Sequence, residues 1–216
     1  MVDDFAARLA CVEKILAEPP AVHFSDPVYG LEPPGGVWRT DQSCYEFLAA
    51  QCHPGARTLE TGLGISTALF TIWQCTHTSV VPWRIEANRL FEYLKEHGIE
   101  TDTLTVAVGY SHEVLPLLDP QPLDLAFIDG GHGFPLAIID WFYSASRLVE
   151  GGVLVLDDLH LRSVTAGLVD FLTEDPRWTP LESTEKWAAW RRESSGPLHE
   201  EWTAQPFFAP YISQQV

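Results

Sequence analysis

Phe5, Leu9, Val12 and Leu16 recur three or four residues apart between Asp3 and Ala17, the spacing that lines one face of a helix. The rhythm then stops. The stretch EPPAVHFSDPVYGLEPPGGVW is dense in proline and glycine, which excludes regular structure and predicts an extended cover over the domain. Thr40 or Asp41 stands where a side-chain oxygen caps a helix, and the helix so begun runs to about Cys52, before His53-Pro54-Gly55 ends it.

From Arg57 the pattern becomes short apolar runs alternating with helical stretches. Strands are predicted at Thr58–Glu60, Thr78–Val81, Thr103–Val108, Leu123–Asp129 and Val153–Leu156, with helices at Ser66–Thr76, Asn88–His97, Glu113–Leu118 and Phe134–Leu148. Runs such as LDLAFID and GVLVLDD are apolar at consecutive positions, so both sides of the strand are buried. That is the mark of a parallel sheet covered by helices on both faces, a doubly wound, Rossmann-like α/β fold. Right-handed crossovers then gather the strand-to-helix loops on one edge, where ligands bind. Val164–Thr173 reads as one more helix. RWTPLEST and KWAAWRRES come next as two strands with little chain between them, a C-terminal antiparallel hairpin. The expected division is an N-terminal helix and cover segment over 1–39, an α/β domain over 40–195, and a tail over 196–216, rich in proline and aromatics, packed on the domain.

Composition narrows the partners. The chain has 216 residues, 46% of them hydrophobic, enough for one α/β domain with a real core. Thirteen Lys and Arg face 30 Asp and Glu, a net charge of −17. Such a surface repels phosphate backbones and anionic lipid heads, so a small-molecule substrate is expected rather than nucleic acid or membrane. The four cysteines (Cys11, Cys44, Cys52, Cys75) form no C-x-x-C pair, so neither a zinc nor a redox motif is suggested. MVDDFAARLACVEKIL is acidic and lacks a long apolar run, so neither a signal peptide nor a membrane span is expected. Cytoplasmic residence is the resulting expectation, and a homo-oligomer is compatible with it.

Three strand ends carry candidate chemistry. In Thr58-Leu-Glu-Thr-Gly-Leu-Gly-Ile-Ser-Thr67 an acidic strand tip is followed by Gly62 and Gly64, which suit a tight turn or close backbone approach to a ligand, and then by a helix start with free N–H groups. Glu60 there suits a ligand ammonium or hydroxyl, although the same glycines would serve a plain strand-to-helix turn. A dinucleotide fingerprint would want Gly or Ala where Thr67 stands, which disfavours a nicotinamide-dependent oxidoreductase. In DLAFIDGGH, Asp129 ends a buried strand and His132 comes after it, either as a catalytic base or as a loop histidine. In GGVLVLDDLH, Asp157 and Asp158 leave a strand at the same edge as Asp129. If those strands are neighbours the three carboxylates converge, and either one takes up a proton or Mg²⁺ relieves the repulsion. The alternative is that Asp157 and Asp158 cap loop N–H groups. Arg162, four residues beyond Asp158, is the candidate to fill the metal point.

The stretch from about Thr58 to Val164 resembles the class I S-adenosylmethionine-dependent methyltransferases. It is closest to a small bacterial group with the patterns LE-x-G-x-G-x-ST, G-x-S-x-x-x-LP-x-L, F-ID-G-x-H-x-F and GG-x-x-x-x-DD. They stand here, in order, as LETGLGIST, GYSHEVLPLL, FIDGGHGF and GGVLVLDD. The resemblance implies a mostly parallel seven-stranded sheet. It implies S-adenosylmethionine as cofactor, with Glu60, Gly62 and Gly64 cradling its methionine part and Thr61 and Ser66 in the same turn. Gly109 and Ser111 would lie by the adenine, and Asp129 would border both the methionine and the methyl acceptor. Asp129, Asp157 and Asp158 match the positions that hold Mg²⁺ in the metal-dependent O-methyltransferases of this fold. The activity so implied is methyl transfer to a small molecule, through oxygen, with Asp129 and His132 as the catalytic candidates. Two positions depart from the family. Val81 stands where an acid would bind the ribose hydroxyls, with Glu86 five residues on, and Tyr110 stands where an acid is common. A diverged, non-catalytic ligand-binding module on the same fold is the alternative reading.

Overall fold

The computed structural model describes residues 5–23, 36–194 and 198. Two helices come first, α1 (Phe5–Ala17) and α2 (Gln42–Gln51). Strands and helices then alternate: β1 (Arg57–Thr61), α3 (Ile65–Ile72), β2 (Thr76–Val81), α4 (Arg84–Glu96), β3 (Leu104–Val108), α5 (Ser111–Val114), β4 (Leu123–Ile128), α6 (Leu136–Ala145) and β5 (Leu148–Leu156). Two short helices, α7 (Arg162–Thr165) and α8 (Leu168–Glu174), lead to β6 (Trp178–Ser183) and β7 (Ala188–Arg192). The seven strands form one sheet in the order β3-β2-β1-β4-β5-β7-β6. All pairings are parallel except those of β7, which runs antiparallel to both β5 and β6.

Strand side chains alternate between the faces, so one register sorts the core into two layers. Leu125, Phe127, Val153 and Val155 face α1, α2 and α3, against Val12, Leu48, Leu69 and Phe70. Ala126, Ile128, Leu154 and Leu156 face α6, α7 and α8, against Trp141, Val164 and Leu172. A third cluster joins Leu90 and Leu94 of α4 to Val81 and Ala68. No helix among the described residues is long and apolar enough to cross a membrane.

Local differences from the pattern have identifiable causes. Gly151 and Gly152 lie inside β5 rather than before it. Gly151 has φ 83°, and the β4–β5 register shifts there, so the glycines absorb a bulge. The stretch 164–173 is two helices rather than one, because the chain turns at Gly167 (φ 79°). Helix α4 begins at Arg84, which puts Glu86 in its first turn instead of in a loop. Within the cover segment, His23 and Gly36 form an antiparallel bridge. Residues 24–35 and the tail, apart from Leu198 in the second core layer, lie outside the described residues.

Candidate active site

Beyond the ends of the parallel strands the ladder continues into the loops. Gly62 N–H donates to the Val80 carbonyl (2.9 Å), Asp129 N–H to Thr61 (3.0 Å), Gly109 N–H to Val81 (2.9 Å) and Asp157 N–H to Ile128 (3.0 Å). These bonds hold four loops side by side at one sheet edge. Above them opens a cleft of about 520 Å³. Thr61, Gly62 and Gly64 form part of its lining, Val81, Trp83 and Glu86 stand on one side, and Asp129, His132, Asp157, Asp158 and Lys186 on another.

Gly62 sits at the tightest point. Its φ is +108°, and a Cβ there would meet the Asp129 carbonyl oxygen, with the carbonyl carbon 3.1 Å away. The backbones of the first and fourth loops thus touch, and glycine is what permits it. Gly64 is different: its φ of 164° is extended backbone, and its N–H donates to Thr67 Oγ1 (2.9 Å) at the start of α3.

The acidic side holds a connected network. The Asp129, Asp157 and Asp158 carboxylates bring oxygens within 4.8 Å of one another. Lys186 Nζ donates to Asp157 Oδ2 (3.2 Å) and to Asp158 Oδ1. Thr40 Oγ1 donates to Asp157 Oδ1 (2.6 Å). His132 Nδ1 lies 2.9 Å from Asp158 Oδ2. Burial opposes charge on Asp158, yet hydrogen bonds from His132 and Lys186 hold its carboxyl well below the usual range. Among the described residues, no hydrogen bond reaches the Asp129 carboxylate. Burial, followed by the charges of Asp157, Glu60 and Asp158, pushes it well up. Burial also works against the Lys186 ammonium, but Asp158 and Asp157 hold it above the ordinary lysine value.

Comparison with known proteins shows what this arrangement is similar to. No curated protein matches the chain. The fold is shared with cofactor-bound Rv0187 from MTB (21% identity, TM-score 0.58, covering 90% of this chain and 93% of that one). It is also shared with the O-methyltransferase TomG from Streptomyces achromogenes, involved in tomaymycin synthesis and solved with SAM (17% identity, TM-score 0.59, 90% and 92%). An O-methyltransferase from Bacillus cereus in complex with SAH is similar to the same degree (15% identity, TM-score 0.59, 86% and 91%). Residues 59–159 match a family described as a methyltransferase domain. Over that part the chain is similar to methyltransferase domains, and its sheet has the Rossmann-like fold of these structures.

Around the cleft the structure sorts the residues that sequence reasoning selected. Thr61, Gly62, Gly64, Ser66, Ser111, Asp129, His132, Asp157 and Asp158 all line the cleft. Glu60 does not. As an even-numbered residue of β1 it shares the α3 face with Thr58, and it is fully buried. Its carboxylate accepts from Ser66 Oγ, from Thr67 Oγ1 (2.8 Å) and faces His77 Nε2 (3.1 Å), which fixes the start of α3 from below. Gly109 also lies outside the lining. Its φ of 155° turns the chain so that Tyr110, Ser111 and His112 reach the cleft. Asp140 of α6 is fully buried beneath Gly130, and burial raises its carboxyl.

The metal expectation divides. The three aspartates converge as a Mg²⁺ site requires, but the residues present do not fit a divalent ion, because the Lys186 ammonium already bridges two of them. Arg162, the expected occupant, is exposed on α7 and outside the lining.

Asp129 makes a pH prediction. Its folded pKa is raised, so the unfolded chain releases this proton at lower pH than the folded one. Stability conferred by the protonated form is therefore lost as pH rises from the ordinary carboxyl range through the raised value. Asp158 acts in the opposite sense and in a separate window: its contribution is lost only as pH falls below the ordinary range. Urea midpoints measured across mildly acidic to neutral pH are expected to fall less steeply for Asp129→Asn than for wild type. Parallel curves would show that Asp129 ionises normally.

Proposed function

We propose that the protein transfers a methyl group from S-adenosylmethionine to an oxygen of a small molecule, with His132 as the general base. The observation that carries this reading is the Asp158–His132 pair at the cleft wall. With its proton on Nδ1 donated to Asp158 at 2.9 Å, the ring leaves Nε2 as an acceptor. Two neighbours of the same fold whose structures hold SAM or SAH support the choice of cofactor.

The cleft suits that cofactor in ways independent of the comparisons. Its volume is in the range of small-molecule sites, about 300–1,000 Å³. The rings of Trp83 and Tyr110, 6.1 Å apart, stand at the mouths of the second and third loops as flanks for the adenine. Val81 is buried among Leu90, Leu94 and Ala87, so the second strand ends without a carboxylate. Glu86, one turn into the cleft wall on α4, is our choice for the ribose hydroxyls.

When bound, the cofactor supplies a sulfonium methyl open to displacement. The protein's part is alignment and proton transfer. His132 Nε2 would take the acceptor's hydroxyl proton as the methyl group is transferred, and the Asp158 carboxylate would stabilise the imidazolium that carries that proton away.

Calorimetric titration with S-adenosylmethionine and S-adenosylhomocysteine tests the cofactor. Both are expected to bind, and Glu86→Gln to weaken binding by about 1–3 kcal/mol, the range for hydrogen bonds to a charged group. Val81→Asp is expected to bring no gain, since it adds a second carboxylate to the wall that Glu86 serves. Absence of binding by the wild-type protein would reject the methyltransferase reading. An unchanged affinity in Glu86→Gln would reject only its ribose assignment.

A further inference from the structure

The cation in the acidic corner arrives by topology. Because β7 runs antiparallel between β5 and β6, the β6–β7 turn falls at the same sheet edge as the ends of the parallel strands. That turn is pinned. Thr184 Oγ1 accepts from Lys186 N–H (3.1 Å) and Trp187 N–H (2.9 Å), and the Lys186 carbonyl accepts from Leu159 N–H (2.8 Å). Trp187 is fully buried, and its indole donates to Ser43 Oγ (3.1 Å). Lys186 is therefore held by its own backbone on the loop just past Asp158. Its side chain is not a solvated surface lysine that happens to lean inward.

An ammonium has three donors. Two go to Asp157 and Asp158, and the third has no described partner on a side chain that lines the cleft.

We propose that Lys186 is a resident cation standing where a divalent metal would bind, and that its free N–H holds the acceptor oxygen beside His132. The first half concerns the cluster alone; the second rests on the methyl-transfer reading above. A metal ion chelates two oxygens of a vicinal diol, whereas one N–H serves a single oxygen. The substrate class is accordingly a compound with one acidic hydroxyl, such as a phenol or an enol, with no requirement for a second hydroxyl next to it.

The test is a titration of Mn²⁺ into the full chain, followed by calorimetry and thermal shift. Wild type is expected to show no saturable uptake, and Lys186→Met to gain one site, tighter by about tenfold to a thousandfold, the range by which one contacting charge shifts a proton affinity. Lys186→Gln, neutral yet able to hydrogen-bond Asp158, is the second variant should the first not fold. Saturable Mn²⁺ binding by wild type, or no gain in a folded neutral variant, overturns the resident cation whether or not the protein methylates anything. For the second half, phenols are scored by S-adenosylhomocysteine release after exhaustive chelation. Turnover that survives chelation, falls in Lys186→Met, and is no faster for a catechol than for the matching phenol is the expected result. A catechol preference that appears only with added metal overturns it.

Discussion

Replacing Gly62 with alanine is expected to destabilise the fold by about 2–6 kcal/mol. About 1–3 kcal/mol comes from forcing a side chain to φ +108°. A further 1–3 or so comes from overpacking, because the new methyl meets the Asp129 carbonyl, a backbone atom fixed by the β1–β4 ladder. Relief requires the first and fourth loops to separate, which also misplaces Asp129 relative to the cleft. Urea denaturation reads the loss, with Gly133→Ala as the control. Nothing lies within 4 Å of a Cβ at Gly133 and its φ is not in the left-handed region, so it should stay within about 0.5 kcal/mol of wild type. Equal midpoints for the two variants would mean that the loops do not need their backbone contact.

The largest kinetic effect is expected at His132. His132→Gln removes the base and should lower kcat by about 10²–10⁴, the usual weight of general-base catalysis, while leaving S-adenosylmethionine affinity nearly unchanged. Asp158→Asn is expected to lose less, because a side-chain oxygen remains to accept from Nδ1. The assay is S-adenosylhomocysteine release with a phenol that the wild type methylates. If His132→Gln turns over at the wild-type rate, the histidine is a loop residue and the base lies elsewhere.

Much of this arrangement was legible in the sequence, for reasons that particular residues make clear. A carboxylate that ends a run such as LDLAFI has no apolar layer to enter, so Asp129 had to emerge at the sheet edge. The same holds for Asp157 and Asp158 after GVLVL, and adjacency of β4 and β5 then brought the three together. Glu60 misled because its side chain obeys the strand's two-residue alternation rather than the strand's end. The signal was present in Ser66, Thr67 and His77, three hydrogen-bonding residues placed to satisfy a buried acid. Lys186 went unseen because it looks like the polar start of a strand in KWAAW. An antiparallel hairpin beside parallel strands must turn at their carboxyl ends, and that rule would have placed it. The two-helix break at Gly167 and the bulge at Gly151 depend on single φ values, which composition does not encode.

The position of Lys186 along the chain has a further consequence for how the molecule is made. Asp129, Asp157 and Asp158 are all synthesised before it, the last of them 28 residues earlier. Until then the sheet ends at β5 with an acidic rim and an unpaired edge. Strand β6 cannot join β5 directly, because its neighbour is β7, made last. The strand that covers this edge is β7, so the pairing that closes the sheet on β5 also delivers the positive charge its acidic rim lacks. Sealing that edge thus adds an ionic attraction in the corner to the burial of Trp187 and Trp190.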